Sequence, residues 1–369
     1  MMRVMMVSTS YPRDASDWRG VFIRHLVNAM ARDPAIDLSL WAPPGELPAN
    51  VEPLASPPDS LWLGDLMEAG GIAHLMRSGG IRGLLSPLKL LNLLRNAYRR
   101  SAVPDVYHVN WLQNAVVIPG NGKPLLATVL GTDMQLLKLP GMTHALRRVF
   151  RSRRSVICPN ARWMVPELET RFGDVARVQF VPFGIEPRWF DIQRQPSAIT
   201  GKAWACVSRV THGKIGTLFD WGEPYFSGGQ RELHLFGPMQ ESMQIPDWVH
   251  YHGAATADTL CNDWFPKIQG LITLSQHAEG RPQVMLEAMA AGVPIIASRI
   301  SAHQDMLEHQ VTGWLCPDKT TVGSALAALE TESNNREMGQ RARTVVRAEV
   351  GTWEDCVARY SDLYDALSS

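Results

Sequence analysis

Short runs of β-branched and apolar residues recur along the chain, between longer stretches whose apolar side chains have helical spacing. This alternation is typical of a mostly parallel sheet flanked by helices. Each half of the chain is therefore predicted to form its own doubly wound α/β unit. The predicted strands are Arg3–Ser8, Leu38–Trp41, Val106–Val109, Leu125–Val129, Ser155–Cys158 and Val178–Val181, then Ala203–Val207, Glu232–Phe236, Val249–His252, Gly270–Leu274 and Pro294–Ser298.

A polar segment without either periodicity, Gln193–Gly201, carries Pro and Gly and predicts the break between the two halves. We expect an N-terminal domain over residues 1–195 and a C-terminal domain over residues 200–348. After them, Thr352–Leu367 has apolar side chains at helical spacing, with Thr352 placed as an N-cap. The pattern predicts a terminal amphipathic helix within residues 352–369.

The length and net charge of this chain limit the kinds of protein that it can be. A chain of 369 residues exceeds what one hydrophobic core usually serves. Its 36 Lys and Arg balance 36 Asp and Glu, so no whole-protein field would recruit nucleic acid. The five cysteines form no C-x-x-C pair, and the pattern indicates no secretory leader and no apolar stretch of transmembrane length. We therefore expect free thiols in a cytoplasmic protein, with the inner face of the membrane as a second location.

The segment Leu271–Ser298 predicts a compact strand-loop-helix-strand unit, with Pro282 at the helix start and Gly292 at its end. The loop follows the carboxyl end of a strand, where open α/β sheets bind ligands. Backbone N–H groups at Arg281–Val284 would face an anion such as a diphosphate. The carboxylates of Glu279 and Glu287 can accept hydrogen bonds from adjacent hydroxyls. Taken alone, two glutamates eight residues apart more often lie at the surface without a ligand.

Two cations follow the first strand of the second half. Arg209 and Lys214 stand five residues apart across a loop and can converge on one anion. By themselves such residues are normally solvated.

The string from Glu279 to Ser298 resembles the E-x7-E motif of the family 4 glycosyltransferases nearly throughout. The resemblance implies that Glu279 contacts the transferred sugar and that Glu287 holds the ribose hydroxyls. The family's R-x4-K pattern matches Arg209 and Lys214, which would stabilise the departing nucleoside diphosphate. Ser208 stands where the family usually has Gly. The implied donor-binding set is Glu287, Gly280, Arg281, Pro282, Gln283 and Val284, with Arg281-Pro282 as a departure from the usual Phe-Gly or Phe-Pro.

The N-terminal half resembles the family only in part. Gly20 matches a glycine loop near the donor phosphates and the acceptor, although a bare glycine is more often a turn residue. Asp105–Trp111 resembles the segment D-x-x-H-x-x-W, and Leu126–Asp133 resembles the strand leading into H-G-x-D. Leu130 occupies the histidine position, so His108 and Asp133 are the candidates to cover its task. A lone histidine in a strand is equally consistent with a core residue.

The resemblance implies a GT-B fold, in which two facing Rossmann-like domains bind the donor in the cleft between them. In this fold the terminal helix within residues 352–369 is expected to return toward the N-terminal domain. It also implies transfer of a hexose-type sugar with retention, from a nucleotide sugar to a glycan or lipid-linked acceptor, with no cofactor and no required metal. No D-x-D pair is present to hold a metal. The leucine-rich, basic stretch from Ile81 to Arg100 predicts peripheral membrane contact, with packing on the sheet as the alternative.

Two other functions stay open. Leu130 is compatible with a sugar-nucleotide-binding partner subunit that no longer catalyses transfer. A nucleotide-sugar epimerase on the same fold is the third. A dinucleotide dehydrogenase is disfavoured, because no G-x-G-x-x-G follows the first strand.

Overall fold

Two parallel sheets organise the chain. The computed structural model describes residues 1–14, 17–71, 80–196 and 202–369, with residues 80–84 as backbone only. Contacts divide these residues into two compact units, one made of Met1–Gly184 with Trp353–Ser369 and the other of Ile185–Thr352. Each unit contains one parallel sheet with helices, so the predicted α/β class is confirmed.

The strands of the first unit are β1 Met2–Val7, β2 Ile36–Trp41, β3 Glu52–Pro53, β4 Val106–Asn110, β5 Leu125–Val129, β6 Ser155–Pro159 and β7 Arg177–Val178. Their order in the sheet is β3-β2-β1-β4-β5-β6-β7, and neighbours run parallel. The order reverses between β1 and β4, which is the doubly wound arrangement that binds ligands at the carboxyl ends of these strands.

The helices of the first unit cover both faces of this sheet. Side chains of β1 alternate between them: Val4 and Met6 enter one core, and Met5 and Val7 enter the other. Burial on both faces explains why the strands are near-continuous apolar runs rather than alternating ones. The helices are α1 Val21–Arg32, α2 Pro57–Glu68, α3 Gly80–Arg100, α4 Asp133–Leu136, α5 Met142–Arg151 and α6 Val165–Phe172, with 3-10 turns at Leu112–Ala115 and Arg162–Met164.

The second unit repeats this plan. Its strands are β8 Lys202–Val207, β9 Arg231–Phe236, β10 Val249–Gly253, β11 Gly270–Thr273, β12 Ile295–Ser298 and β13 Trp314–Cys316, in the order β10-β9-β8-β11-β12-β13. Ala203 and Ala205 of β8 enter one core, and Trp204 and Cys206 enter the other. Its helices are α7 Pro187–Phe190, α8 His212–Ile215, α9 Leu218–Phe226, α10 Ala257–Thr259, α11 Gln283–Ala290, α12 Ser301–Gln304, α13 Lys319–Leu329 and α14 Glu332–Glu349, with a π-helical turn at Leu260–Trp264.

The last helix, α15 Trp353–Ser368, belongs to the first unit and packs against α1. Its apolar side chains share a core with β1 and α1. The helical spacing therefore marks a face that is buried against a distant part of the chain. The buried residues are Trp353, Cys356, Val357, Tyr360, Leu363, Tyr364 and Leu367.

The change from one unit to the other lies earlier than the sequence predicts, at Gly184 and Ile185 instead of Gln193–Gly201. Arg194 explains the difference. Its guanidinium donates to the carbonyls of Gly292 and Ile268 and to Asn335, at 2.9, 2.7 and 2.8 Å, which ties the predicted linker to the second unit. The rest of that predicted break, residues 197–201, lies outside the described residues.

All five cysteines are buried and free. Among the described residues, no helix has both the length and the apolarity needed to cross a bilayer.

Candidate functional site

The loops that follow β8 and β11 meet at the carboxyl ends of these neighbouring strands. Two backbone hydrogen bonds join them: Gln276 donates to the carbonyl of Gly213 at 2.9 Å, and Thr217 donates to the carbonyl of Leu274 at 3.3 Å. The cation-bearing loop and the acidic loop predicted from the sequence therefore form one site.

Lys214 and Glu279 make direct contact at the centre of this site. Lys214 Nζ lies 2.7 Å from Glu279 Oε2, and the two side chains are only 17% and 8% exposed. The other oxygen, Oε1, accepts a hydrogen bond of 3.0 Å from the hydroxyl of the buried Ser275. Ser275 accepts in turn from the backbone N–H of His277. The carboxylate is thus held on both sides, and Ser275 is a site residue that the sequence prediction missed.

The mutual attraction of the two side chains opposes the effect of burial on both of their pKa values. Burial by itself raises the pKa of Glu279, but the charge and hydrogen bond of Lys214 outweigh it and hold that pKa below its ordinary value. Burial lowers the pKa of Lys214, and Glu279 opposes that change. A buried ion pair of this kind depends on both partners, because removing one leaves an uncompensated charge.

Arg209 belongs to the same electrostatic cluster. Its guanidinium donates to Gln240 Oε1 at 3.2 Å, which links the loops that follow β8 and β9. Burial lowers its pKa, while the charges of Glu279 and Glu241 favour the protonated form. Glu279 therefore interacts with both cations predicted from the sequence.

Glu287 lies in the second turn of α11. Pro282 is the N-cap of that helix, and Gly292, with a φ of 70°, follows its end, so the predicted helix boundaries are confirmed. Burial raises the pKa of Glu287 to about 8, with Glu186 adding to the rise and Arg188 opposing it. From its residue type alone, Glu287 is predicted to be an acceptor-only carboxylate. Its raised pKa instead favours the neutral form of the group, because burial and then the nearby Glu186 carboxylate disfavour the charge.

Glu186 and Arg188 are further residues that the sequence prediction missed. Arg188 Nη2 lies 2.7 Å from Glu186 Oε2, and its other terminal nitrogen pairs with Asp258. Both Glu186 and Arg188 interact electrostatically with Glu287. The available signal is the charged Glu-Pro-Arg sequence that starts α7, with Glu186 as its N-cap.

The five predicted donor-binding residues before and at the start of α11 are each partly exposed. Pro282 supplies the carbonyl that accepts from the N–H groups of Met285 and Leu286, which closes the first turn. The amides N-terminal to those are the ones a helix start directs outward. The residues are Gly280, Arg281, Pro282, Gln283 and Val284.

Gly20 lies in the first unit, as the N-cap of α1 with a φ of 70°. A Cβ at this position would lie 2.5 Å from Ser10 Oγ and 2.9 Å from the Tyr11 backbone nitrogen. The left-handed backbone and this close approach already require glycine, independently of any ligand.

His108 is a core residue. It is fully buried in β4, with Nδ1 2.6 Å from the hydroxyl of Tyr364 and Nε2 2.8 Å from the hydroxyl of Thr128. Burial lowers its pKa to about 3. Both ring nitrogens are hydrogen-bonded to buried side chains, so neither is available for the catalytic role that the family resemblance implies.

Asp133 connects two loops of the first unit. Its carboxylate accepts from the backbone N–H of Leu112 at 2.7 Å and from that of Leu130 at 2.8 Å. Burial raises its pKa to about 7 against these hydrogen bonds. The side chain of Leu130 is itself buried, at 8% exposure. The contacts of Asp133 are those of a structural residue that holds the loops after β4 and β5.

The described residues contain no group of three or more His, Cys, Asp or Glu side chains that could hold a metal ion.

Residues 227–332 match the family model described as "Glycosyl transferases group 1". This segment contains β11, α11, Glu279 and Glu287. The chain is also similar to N-acetyl-alpha-D-glucosaminyl L-malate synthase of Bacillus anthracis, with 36% identity over 97 residues. That alignment covers 26% of this chain and 25% of the synthase.

Solved structures extend the likeness of fold to the whole chain. Sucrose-phosphate synthase from Thermosynechococcus elongatus matches with a TM-score of 0.74 at 16% identity, over 100% of this chain and 99% of that one. Anabaena Alr3699/HepE, solved in complex with UDP and glucose, matches with a TM-score of 0.69 at 14% identity, over 100% of both chains. By fold the chain is of the GT-B type, and its segment 227–332 is similar to group 1 glycosyltransferases.

Proposed function

We propose that this protein is a retaining glycosyltransferase that moves a hexose-type sugar from a nucleotide-diphosphate sugar to a glycan or lipid-linked acceptor. The observation that carries the proposal is the shielded Lys214–Glu279 ion pair at the joined ends of β8 and β11, with Arg209 in the same cluster. Cations and an anchored carboxylate at this edge of a doubly wound sheet suit a ligand that carries both phosphates and hydroxyls.

Each group has a role in this proposal. Arg209, Lys214 and the N-terminus of α11 would stabilise negative charge that develops on the departing nucleoside diphosphate. Glu279, held by Ser275, would accept hydrogen bonds from hydroxyls of the transferred sugar. Glu287 would hold the ribose hydroxyls. These residues supply the charge stabilisation themselves, so we expect turnover without a metal ion.

Similar proteins support this assignment. The matched segment contains both glutamates of the E-x7-E pattern, and HepE was solved with UDP and glucose. We infer that the donor of this chain is also a nucleotide sugar.

The test is release of nucleoside diphosphate from a panel of UDP-, GDP- and ADP-sugars in buffer containing EDTA. We expect sugars of one nucleotide class to be turned over, slowly without acceptor and faster with it. NMR of the product should show the same anomeric configuration as in the donor. Leu130 in place of the family's histidine favours one alternative, a protein that binds the donor without transfer. Tight nucleotide binding without release would establish that alternative, and isomerisation of the donor would establish an epimerase.

The pH dependence of nucleoside diphosphate binding, compared between the wild type and Glu287→Gln, tests the ribose contact. An ionised carboxylate is the better acceptor, and the pKa of Glu287 is about 8. Nucleoside diphosphate affinity of the wild type should therefore rise with pH between 7 and 9, by up to about tenfold per unit below the pKa. Calorimetry should show weaker and less pH-dependent binding for Glu287→Gln, and no change for Glu337→Gln, an exposed residue of α14. An identical pH slope in wild type and Glu287→Gln would contradict the role of Glu287.

We also propose that α3 contacts an anionic membrane. Leu85 and Leu88 of α3 and Leu61 of α2 are 56%, 64% and 73% exposed, and Lys89 lies over the ring of Trp62 between the two helices. Leu90 and Leu94 pack inside the unit, so α3 both covers the sheet and presents leucines outward. Arg100 contributes less than the sequence indicates, because it pairs with the buried Asp59 at 2.6 Å. Arg82 lies outside the described side chains.

Liposome flotation tests this contact. We expect binding to vesicles containing anionic lipid at low salt, weaker binding at 0.5 M salt, and loss of binding in Leu85→Ser/Leu88→Ser. Val345→Ser, at an exposed apolar position of α14 in the other unit, serves as the control. Equal flotation with neutral and anionic vesicles, or none with either, would remove the proposal.

A further inference from the structure

His303 is a buried histidine beside the candidate site, in the short helix that follows β12. It is 0% exposed. Its Nδ1 lies 3.0 Å from the carbonyl oxygen of Ser298. A carbonyl oxygen only accepts hydrogen bonds, so Nδ1 carries the proton and Nε2 of the neutral ring is an acceptor.

The other ring nitrogen has no partner. His303 Nε2 is buried, and it makes no hydrogen bond with any of the described residues. Buried polar atoms are nearly always paired, so this nitrogen calls for a partner such as a water molecule or a ligand hydroxyl. Its tautomer is fixed from the opposite side, which leaves the lone pair of Nε2 available to a donor.

The ring is connected to the Lys214–Glu279 pair. The Ser298 hydroxyl donates to the carbonyl of Ser275 at 2.5 Å, and the Ser275 hydroxyl donates to Glu279 at 3.0 Å. The charges of Glu279 and Lys214 both act on the His303 ring. Burial lowers the pKa of His303, so the ring is neutral at pH 7.

We propose that His303 Nε2 accepts a hydrogen bond from one hydroxyl of the transferred sugar and thereby helps to select the donor sugar. This inference rests on the proposed function. A neutral acceptor nitrogen repels phosphate oxygens and attracts hydroxyl groups, and the cations of the site already suit the phosphates. Glu279 and His303 would then bind different hydroxyls of the same sugar ring.

The experiment compares the preferred nucleotide sugar with its single-deoxy analogues, using kcat/KM for nucleoside diphosphate release or, for a protein that only binds, the dissociation constant. The wild type should reject one deoxy analogue by about 10–100-fold, because the site leaves Nε2 unpaired when the hydroxyl is missing. With the parent sugar, kcat/KM or affinity of His303→Leu should fall by the same factor of about 10–100, whereas with that deoxy analogue it should change little. The variant should bind the free nucleoside diphosphate as the wild type does. His303→Gln, which can place an amide oxygen near the Nε2 position, should recover part of the selectivity.

Each outcome decides between the two proposals. If the wild type neither binds nor turns over any nucleotide sugar, the proposed function fails and the inference fails with it. If the wild type binds or turns over the parent sugar while its selectivity equals that of both variants, only the role of His303 is overturned. If both variants lose kcat/KM or affinity by the same factor for the parent sugar and every analogue, His303 is a structural residue and not a sugar contact. Should His303→Leu fail to fold, His303→Gln and the deoxy series with the wild type give the same decision.

Discussion

Lys214→Ala should reduce turnover of the nucleotide sugar by about 10²–10³-fold, the range seen when one preorganised charge-stabilising group is removed from an active site. The variant loses the cation that we assign to the leaving diphosphate. It also leaves Glu279 without its partner at 2.7 Å in a poorly exposed position. Without Lys214, burial dominates and the pKa of Glu279 rises, because the lysine is what holds it below the ordinary value. The acidic limb of the pH–rate profile should therefore move to higher pH.

Lys214→Arg is the conservative variant and should retain part of the activity, since it keeps the charge but changes its geometry. Lys202→Ala is the matched control. Lys202 opens β8, at the opposite end of the strand from Arg209, and pairs with Glu330 at 2.6 Å. Its loss should leave the turnover rate and the pH profile as they are. A Lys214→Ala enzyme with an unshifted acidic limb would show that the pair does not govern Glu279.

Gly216→Ala should destabilise the protein by about 3 kcal/mol or more and abolish nucleotide binding. Gly216 has a φ of 56°, and a Cβ there would lie 2.1 Å from the carbonyl oxygen of Leu274 and 3.0 Å from the nitrogen of Gln276. Both contacts are backbone atoms of the loop that carries Glu279. The loops after β8 and β11 would have to separate, which breaks the alignment of Lys214 with Glu279. Chemical denaturation and calorimetric titration measure the two effects.

Gly229→Ala separates backbone strain from the clash. Gly229 lies in the same unit with a φ of 73°, and a Cβ there meets nothing within 4 Å. It should cost only about 1 kcal/mol, the ordinary penalty for a left-handed residue that is not glycine, and keep nucleotide affinity. Equal losses in the two variants would mean that the contact between the loops is unimportant for the site.

The ionisation of the two glutamates differs for a physical reason that matters to the proposed chemistry. Glu279 is shielded from water but contacts a cation, so its pKa is lowered. Burial raises the pKa of Glu287, and the charge of a second carboxylate nearby adds to the rise. Environments that move two carboxyl groups in opposite directions are common at functional sites. The two shifts favour the charged form of Glu279 and the neutral form of Glu287.

Much of the fold could be predicted from local patterns. Strands buried on both faces are continuous apolar runs, so β5 was predicted with its observed bounds and β8, β9 and β12 within one residue of them. The start and end of α11 followed from Pro282 and Gly292, whose backbone preferences act locally. The short edge strands β3 and β13 were missed, because two or three residues are too few to show a period.

The boundary between the units and the roles of buried polar residues could not be obtained in this way. Arg194 lies in the predicted polar linker, yet its hydrogen bonds reach carbonyls and a side chain 74 to 141 residues away. His108 matched a family motif, but Tyr364 and Thr128 satisfy both of its nitrogens from α15 and β5. Such partners are brought together only when distant segments pack.

The sequence by itself determined the two doubly wound units, the helix bounds around Glu287, and the residue types that suit phosphates and hydroxyls, because these depend on local periodicity and side-chain chemistry. Only the tertiary structure decided that Lys214 and Glu279 neutralise each other, that Glu287 lies beside Glu186, and that His303 has an unpaired nitrogen. Burial and long-range charge set these properties. Both are sums over residues far apart in the chain, which no local pattern contains.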